Sequence, residues 1–160
     1  MAVEIERKFL VVGDQWKQDV EQSTHVVQGY LANAERSTVR VRIKGDEAFL
    51  TIKGRTEGIS RSEYEYRIPV EDAQAMLAEL AQGPMIDKVR HLVPAAGHVW
   101  ELDVFAGDNE GLVMAEVELS SADETVDLPA WAGAEVSDDD RYYNVNLAAR
   151  PYRTWGLSSG

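Results

Sequence analysis

Glu4, Glu6 and Lys8 occupy alternate positions near the start of the chain, in the run Glu4-Ile5-Glu6-Arg7-Lys8. In an extended strand alternate side chains share a face. Two carboxylates and an ammonium would then form a ladder, with Val3 and Ile5 on the opposite face. Such a ladder can hold a divalent cation and an anion side by side. A solvated edge strand could carry the same residues, so the motif takes its meaning from the rest of the chain.

The same alternation recurs. Arg40, Arg42 and Lys44 alternate with Val39, Val41 and Ile43, and Thr51 and Lys53 alternate with Leu50 and Ile52, although Phe49 shares the Thr51 face. Glu63, Glu65 and Arg67 stand opposite Tyr64, Tyr66 and Ile68. Lys88 and Arg90 flank Val89, with Ile86 and Leu92 on their own face. Glu101 and Asp103 alternate with Trp100, Leu102 and Val104, and Glu116 and Glu118 with Ala115, Val117 and Leu119. Whole segments carry one sign of charge. This is destabilising unless segments of opposite sign adjoin or a ligand bridges them. Clustered carboxylates suit Mg²⁺ or Mn²⁺. Arginine forks and lysine ammonium groups suit phosphoryl oxygens. A polyphosphate with bound divalent metal needs both.

The elements that must position these residues are strands. Period-two alternation broken by turn signals predicts them over Val3–Val12, His25–Leu31, Thr38–Lys44, Ala48–Lys53, Ser62–Ile68, Ile86–Val93, His98–Phe105 and Leu112–Leu119. Gly45-Asp46 marks a hairpin. One helix is expected between Val70 and Gly83-Pro84, with an apolar stripe of Ala73, Met76, Leu77 and Leu80. Asp138–Leu147 reads as a short acid-led helix, and the closing Ser158-Ser159-Gly160 as a frayed end. The fold class is mainly β: an eight-stranded antiparallel closed barrel with a few flanking helices. If the charged faces turn inward, they line a tunnel. The apolar faces then point outward and need cover from helices or from a second copy, which makes a homodimer an expectation.

At 160 residues the chain is expected to form a single domain spanning 1–160. Its formal net charge of -12 argues against nucleic acid and anionic membranes as partners. It leaves room for a local basic cluster that binds an anionic substrate. The absence of cysteine excludes disulfides, thiolate metal sites and cysteine nucleophiles. Charges at Glu4, Glu6, Arg7 and Lys8 fall where a signal peptide needs an apolar run, so a cytoplasmic location is expected.

With these residues in order, the chain resembles the CYTH superfamily, the triphosphate tunnel metalloenzymes, in its compact bacterial single-domain form. The resemblance runs through Glu4-x-Glu6-x-Lys8, Arg40-x-Arg42, Lys53 before Gly54, Glu63-x-Glu65, Lys88-x-Arg90, Glu101-x-Asp103 and Glu116-x-Glu118. It ends at Tyr143-Asn144-x-x-Leu147-Ala148, which is similar to the family's C-terminal helix. It implies metal-dependent hydrolysis of a triphosphate, with inorganic tripolyphosphate the expected substrate and Mg²⁺ or Mn²⁺ the cofactor. The implied metal ligands are Glu4, Glu6 and Glu118, with Glu116 beside them. Lys8, Arg40, Arg42, Lys53, Lys88 and Arg90 are implied to cradle phosphates. Glu63, Glu65 and Asp103 are the implied candidates to orient an attacking water or its metal, and Lys88 or Lys8 to protonate the leaving phosphate. Adenylate cyclases and nucleoside or thiamine triphosphatases of the same superfamily are alternatives. A polyphosphate-binding module without turnover is another, though such a module gains nothing from the carboxylates without metal.

Other residues carry less. His25, His91 and His98 fall on different strands and are expected outside the tunnel, as is Trp100 by parity. Asp138-Asp139-Asp140 is expected at a helix N-terminus, and Gly107-x-x-x-Gly111 as a hairpin loop.

Overall fold

The computed structural model describes residues 3–156, so Ser158-Ser159-Gly160 lies outside them. The strands are β1 (Val3–Val11), β2 (Gln22–Asn33), β3 (Ser37–Lys44), β4 (Glu47–Gly54), β5 (Ser60–Ile68), β6 (Ile86–Ala95), β7 (His98–Phe105), β8 (Val113–Glu118) and β9 (Ala132–Glu135). The helices are α1 (Val70–Leu80) and α2 (Asn144–Ala149). Eight strands run in the order β5-β4-β3-β2-β6-β7-β8-β1, and β1 closes the ring by pairing with β5. The free edge of β1 is divided. Val3–Ile5 pair with β5, whereas Phe9 and Val11 pair with β9.

Three expectations are adjusted. β2 is longer than the sequence pattern indicates, because both of its neighbours, β3 and β6, keep pairing beyond the apolar run. β9 is short and lacks alternation. The acid-led helix is split into a 3₁₀ turn at Asp140–Tyr142 and then α2. At the turn, Asp139 accepts from the Arg141 backbone N–H at 3.1 Å.

The barrel is polar within and apolar without. Outward Phe9, Trp100, Leu102, Ala115 and Val117 pack under Trp16, Val126 and Trp131. Trp100 is fully buried there, outside the lumen as expected. Each such large side chain contributes roughly 1.5–3 kcal/mol on burial. α1 lays Ala73 and Leu77 over Val41 and Ala48. Gly29 permits this approach, since a Cβ there would sit 2.8 Å from Leu77 Cδ2. The outer face of β4 and β5 is left bare at Ile52, Tyr64 and Tyr66.

One end of the barrel is filled. Leu10, Ile86, Phe105 and Met114 share the inward face with the charged residues of their strands, and they pack with Tyr30 of β2 and with Tyr142, Leu147 and Ala148 from the C-terminal segment. This apolar floor narrows the lumen at the α2 end, where Tyr143 and Asn144 also line it. Glu65 and Glu118, both exposed, stand toward the other.

Candidate active site

Above the floor the lumen is a cavity of about 190 Å³. The alternation on each strand delivers its lining. Glu4, Glu6 and Lys8 come from β1, Arg40 and Arg42 from β3, Lys53 from β4, Glu63 from β5, Lys88 and Arg90 from β6, and Glu116 and Glu118 from β8. Residues up to 114 positions apart in sequence thus meet because the ring closes.

The register sorts the charges into walls. Glu6 lies opposite Glu118 and Lys8 opposite Glu116 across β1 and β8, and Glu101 lies opposite Glu116 across β7 and β8. This is the acidic wall. Glu6 is buried and faces Glu116, and both effects push its carboxyl well above the ordinary range. Burial also pushes Glu116 up, but Lys8 and Arg90 outweigh it and hold that carboxyl far below. Lys8 Nζ stands 3.8 Å from Glu6 Oε1 and 4.0 Å from Glu116 Oε1. Its other side faces the Tyr143 ring, 4.5 Å from the centroid.

Glu4 differs from Glu6 although they share a ladder. Burial alone would raise it, yet Lys53 and Arg61 hold it far below the usual carboxylate range. Lys53 Nζ donates to both Glu4 oxygens at 3.1 and 3.3 Å, and Arg61 Nε donates at 3.2 Å. Lys53 also reaches Glu63 Oε2 at 3.2 Å.

The basic wall has a buried brace. Arg90 grips Asp103 with two parallel bonds, Nε to Oδ1 at 2.8 Å and Nη2 to Oδ2 at 2.9 Å. Lys88 Nζ donates to the same Oδ2 at 2.8 Å. Burial lowers the Lys88 ammonium to about 7, against the pull of Asp103 and with help from Arg90 and Arg42. Burial likewise lowers Arg42 to about 9, reinforced by Arg40 and Arg90. Arg40 Nη2 donates to Thr51 Oγ1 at 3.2 Å, while its buried Nε has no partner among the described residues. An unpaired buried guanidinium donor in a basic pocket is what a phosphoryl oxygen would satisfy.

One expected role changes. Asp103 was expected to orient water or metal, but it is 1% exposed and both its oxygens are engaged by Lys88 and Arg90. It acts as the counter-charge that fixes two cations. The lumen also holds residues that charge patterning passed over: Arg61 and Tyr30, with Asn144 and Tyr143 from α2 and its N-terminal edge, and buried Gln28 behind them, bonded to Arg42 and Asn144. Arg61 shares the parity of Glu63 and was readable from it. Gln28 and Tyr30 carry no charge and gave no such signal. The histidines stay outside the lumen. His25 meets Asp87, His91 meets Ser23 and His98 meets Glu124, each at 2.7 Å.

Among the described residues, no three His, Asp or Glu side chains converge into a ready-made metal cage. The donor chemistry nevertheless fits a hard divalent cation. Glu6, Glu116 and Glu118 offer carboxylate oxygens on adjoining strands, two of them buried against each other. Mg²⁺ and Mn²⁺ retain waters and substrate oxygens, so a partial protein shell suffices.

Residues 2–152 match the CYTH domain family model. The chain is 44% identical over 155 residues to an inorganic triphosphatase of Acetivibrio thermocellus, covering 97% of this chain and 99% of that protein. It is 39% identical to an inorganic triphosphatase of Nitrosomonas europaea, covering 91% and 96%. The crystal structure of an inorganic triphosphatase superposes with a TM-score of 0.67 at 37% identity, covering 92% of this chain and 95% of that one. No helix among the described residues is long and apolar enough to cross a membrane. By its sequence from end to end, and by a barrel that carries its charges inside, this chain belongs to the CYTH domain family.

Proposed function

We propose that this chain hydrolyses a triphosphate in a divalent-metal-dependent reaction, with inorganic tripolyphosphate as its substrate. The observation that carries the reading is the lumen itself, a basic wall facing an acidic wall above an apolar floor. The close relatives named above support it. Arg40, Arg42, Lys53 and Arg90 bind phosphoryl oxygens, and Arg40 Nε has no partner among the described residues. Glu6, Glu116 and Glu118 would hold Mg²⁺ or Mn²⁺, with Glu4 at the edge of the group, shared with Lys53 and Arg61. The bound cation would neutralise phosphate charge and lower the pKa of a water. Glu63, beside Glu4 and 3.2 Å from Lys53 Nζ, is our candidate to orient that water.

Water oxygen attacks the terminal phosphorus, the anhydride P–O bond breaks, the departing pyrophosphate takes up a proton from a donor, and the water's own protons remain on the released phosphate until one returns to that donor. Lys88 is the donor best suited to that step. Burial lowers its ammonium to about 7, so near neutral pH it exchanges a proton readily. Arginine and lysine charges fixed in a desolvated lumen stabilise the negative charge that develops on the leaving oxygens. Bare tripolyphosphate is favoured over a nucleotide or thiamine ester because both relatives named above are inorganic triphosphatases, and the two aromatic rings that line the lumen are already engaged. The Tyr143 ring is stacked on Lys8, and Tyr30 is packed into the floor.

The test is phosphate release from tripolyphosphate, ATP, thiamine triphosphate and pyrophosphate with Mg²⁺ or Mn²⁺. Turnover is expected to be fastest on tripolyphosphate and abolished in Glu4→Gln, with the fold retained. No release from any substrate would overturn the hydrolase reading. Tight binding without turnover would indicate a polyphosphate-binding module, and cyclic AMP from ATP a cyclase.

A further inference from the structure

We infer that Asn144 is a positioning residue, and that its side-chain oxygen holds the Lys88 ammonium in the orientation from which it donates its proton. This rests on the reaction proposed above. The Lys88 ammonium has three N–H donors. One goes to Asp103 Oδ2 and one to Asn144 Oδ1, each at 2.8 Å, which leaves the third for a substrate oxygen.

The orientation of Asn144 is dictated by its neighbours. Its oxygen also accepts from Gln28 Nε2 at 3.1 Å. Gln28 cannot turn its amide around, because its own Oε1 accepts from Arg42 Nε at 2.7 Å and a guanidinium has no acceptor to offer in exchange. Gln28 is fully buried and its Nε2 also reaches the Tyr30 hydroxyl at 3.1 Å. Two amides are therefore locked in series, and both oxygens face cations.

Packing holds the base of this arrangement. Asn144 opens α2, and Leu147 and Ala148 of the same helix are buried in the floor. The cap position of α2 is Tyr143, and no side-chain bond caps the helix there. The Asn144 side chain is committed to the lumen, at a helical position where asparagine brings no intrinsic advantage.

The choice of a neutral acceptor has a chemical reason. Lys88 already faces Asp103 from β7 and Glu116 from β8, with Arg90 on β6 and Arg42 from β3 opposing them. Asparagine takes a hydrogen bond from the ammonium without adding a second adjacent negative charge, so the proton stays easy to release. An aspartate at the same place would hold that proton more tightly.

The variants Asn144→Ala and Asn144→Asp would be assayed on tripolyphosphate from about pH 6 to about pH 10. Loss of the acceptor destabilises the ammonium, so the alanine variant should move the basic limb of kcat to lower pH. Its kcat should fall on the order of ten-fold, with KM changed less. The aspartate variant should move the same limb upward by about one pH unit. Titration of the Lys88 Nζ signal by NMR, in metal-free protein, should show the same opposite displacements whether or not the protein hydrolyses tripolyphosphate. Equal losses of rate with an unmoved limb, or an unmoved Lys88 titration in both variants, would overturn the inference. An inactive wild type with the Lys88 titration displaced as expected would instead overturn the assignment of the reaction.

Discussion

The charged chamber and the apolar floor are made by the same inward face of the same strands. On β6, Lys88 and Arg90 follow Ile86. On β7, Asp103 precedes Phe105. On β8, Glu116 follows Met114, and on β1, Lys8 precedes Leu10. One pleat separates a buried ammonium from a buried aliphatic chain. Alternation therefore settles which side chains enter the lumen but not what the lumen is at each depth. Depth is settled by α2, which seals the floor and also sends Asn144 up into the chamber. The floor should govern stability, and the chamber should govern rate.

The largest effect should come from putting chamber chemistry into the floor. Ile86 is fully buried among Tyr30, Phe105 and Met114. Ile86→Asp should destabilise the fold by about 4 kcal/mol or more, measured by urea unfolding, whereas Ile86→Val should cost about 1 kcal/mol. Next comes a chamber residue that behaves like the floor. Asp103→Ala leaves Lys88 and Arg90 without their shared counter-charge and should cost about 3 kcal/mol. A loss under about 1 kcal/mol would mean that water compensates these cations. Lys88→Met should separate the two regions most cleanly. The Arg90–Asp103 fork survives, so stability should hold or rise, while kcat falls on the order of a hundred-fold. A chelator should likewise abolish turnover and leave the far-UV circular dichroism of the barrel unchanged.

The smallest effect belongs outside the barrel. Arg7 grips Glu135 with two bonds, Nη2 to Oε1 at 2.7 Å and Nε to Oε2 at 3.0 Å, tying β1 to β9. Both side chains are partly in water, so Arg7→Ala should cost less than about 1 kcal/mol. The hydrogen bond from Arg7 holds Glu135 below its ordinary value. Its contribution is therefore present above the unfolded carboxylate range, near pH 4, and lost as pH falls through the depressed folded value. The difference between Arg7→Ala and the parent should vanish in acid.

Much of the ring was legible. Single-sign alternation at Arg40 and Arg42, at Lys88 and Arg90, and at Glu116 and Glu118 marks one face of each strand as charged, and the apolar cover on the other face shows that the charged one turns inward. Eight strands suffice for closure, and the pairing of β1 with β5 achieves it. Three things escaped, each for a physical reason. β9 is too short for periodicity to register. Gln28 is neutral, and its role exists only because Arg42 and Asn144 reach it from elements 14 and 116 positions away. Asp103 has the residue type of a metal ligand. Its burial between two cations, which no spacing reveals, makes it a brace.

The floor also sets what a bound anion meets at its deep end. Ile86, Phe105 and Met114 present only apolar side chains there, so a phosphoryl group gains nothing by sinking past Lys88. An anionic ligand is therefore held at the height of the cations. Glu65 and Glu118 stand toward the mouth, where the same negative charges that slow its entry hasten the exit of its fragments.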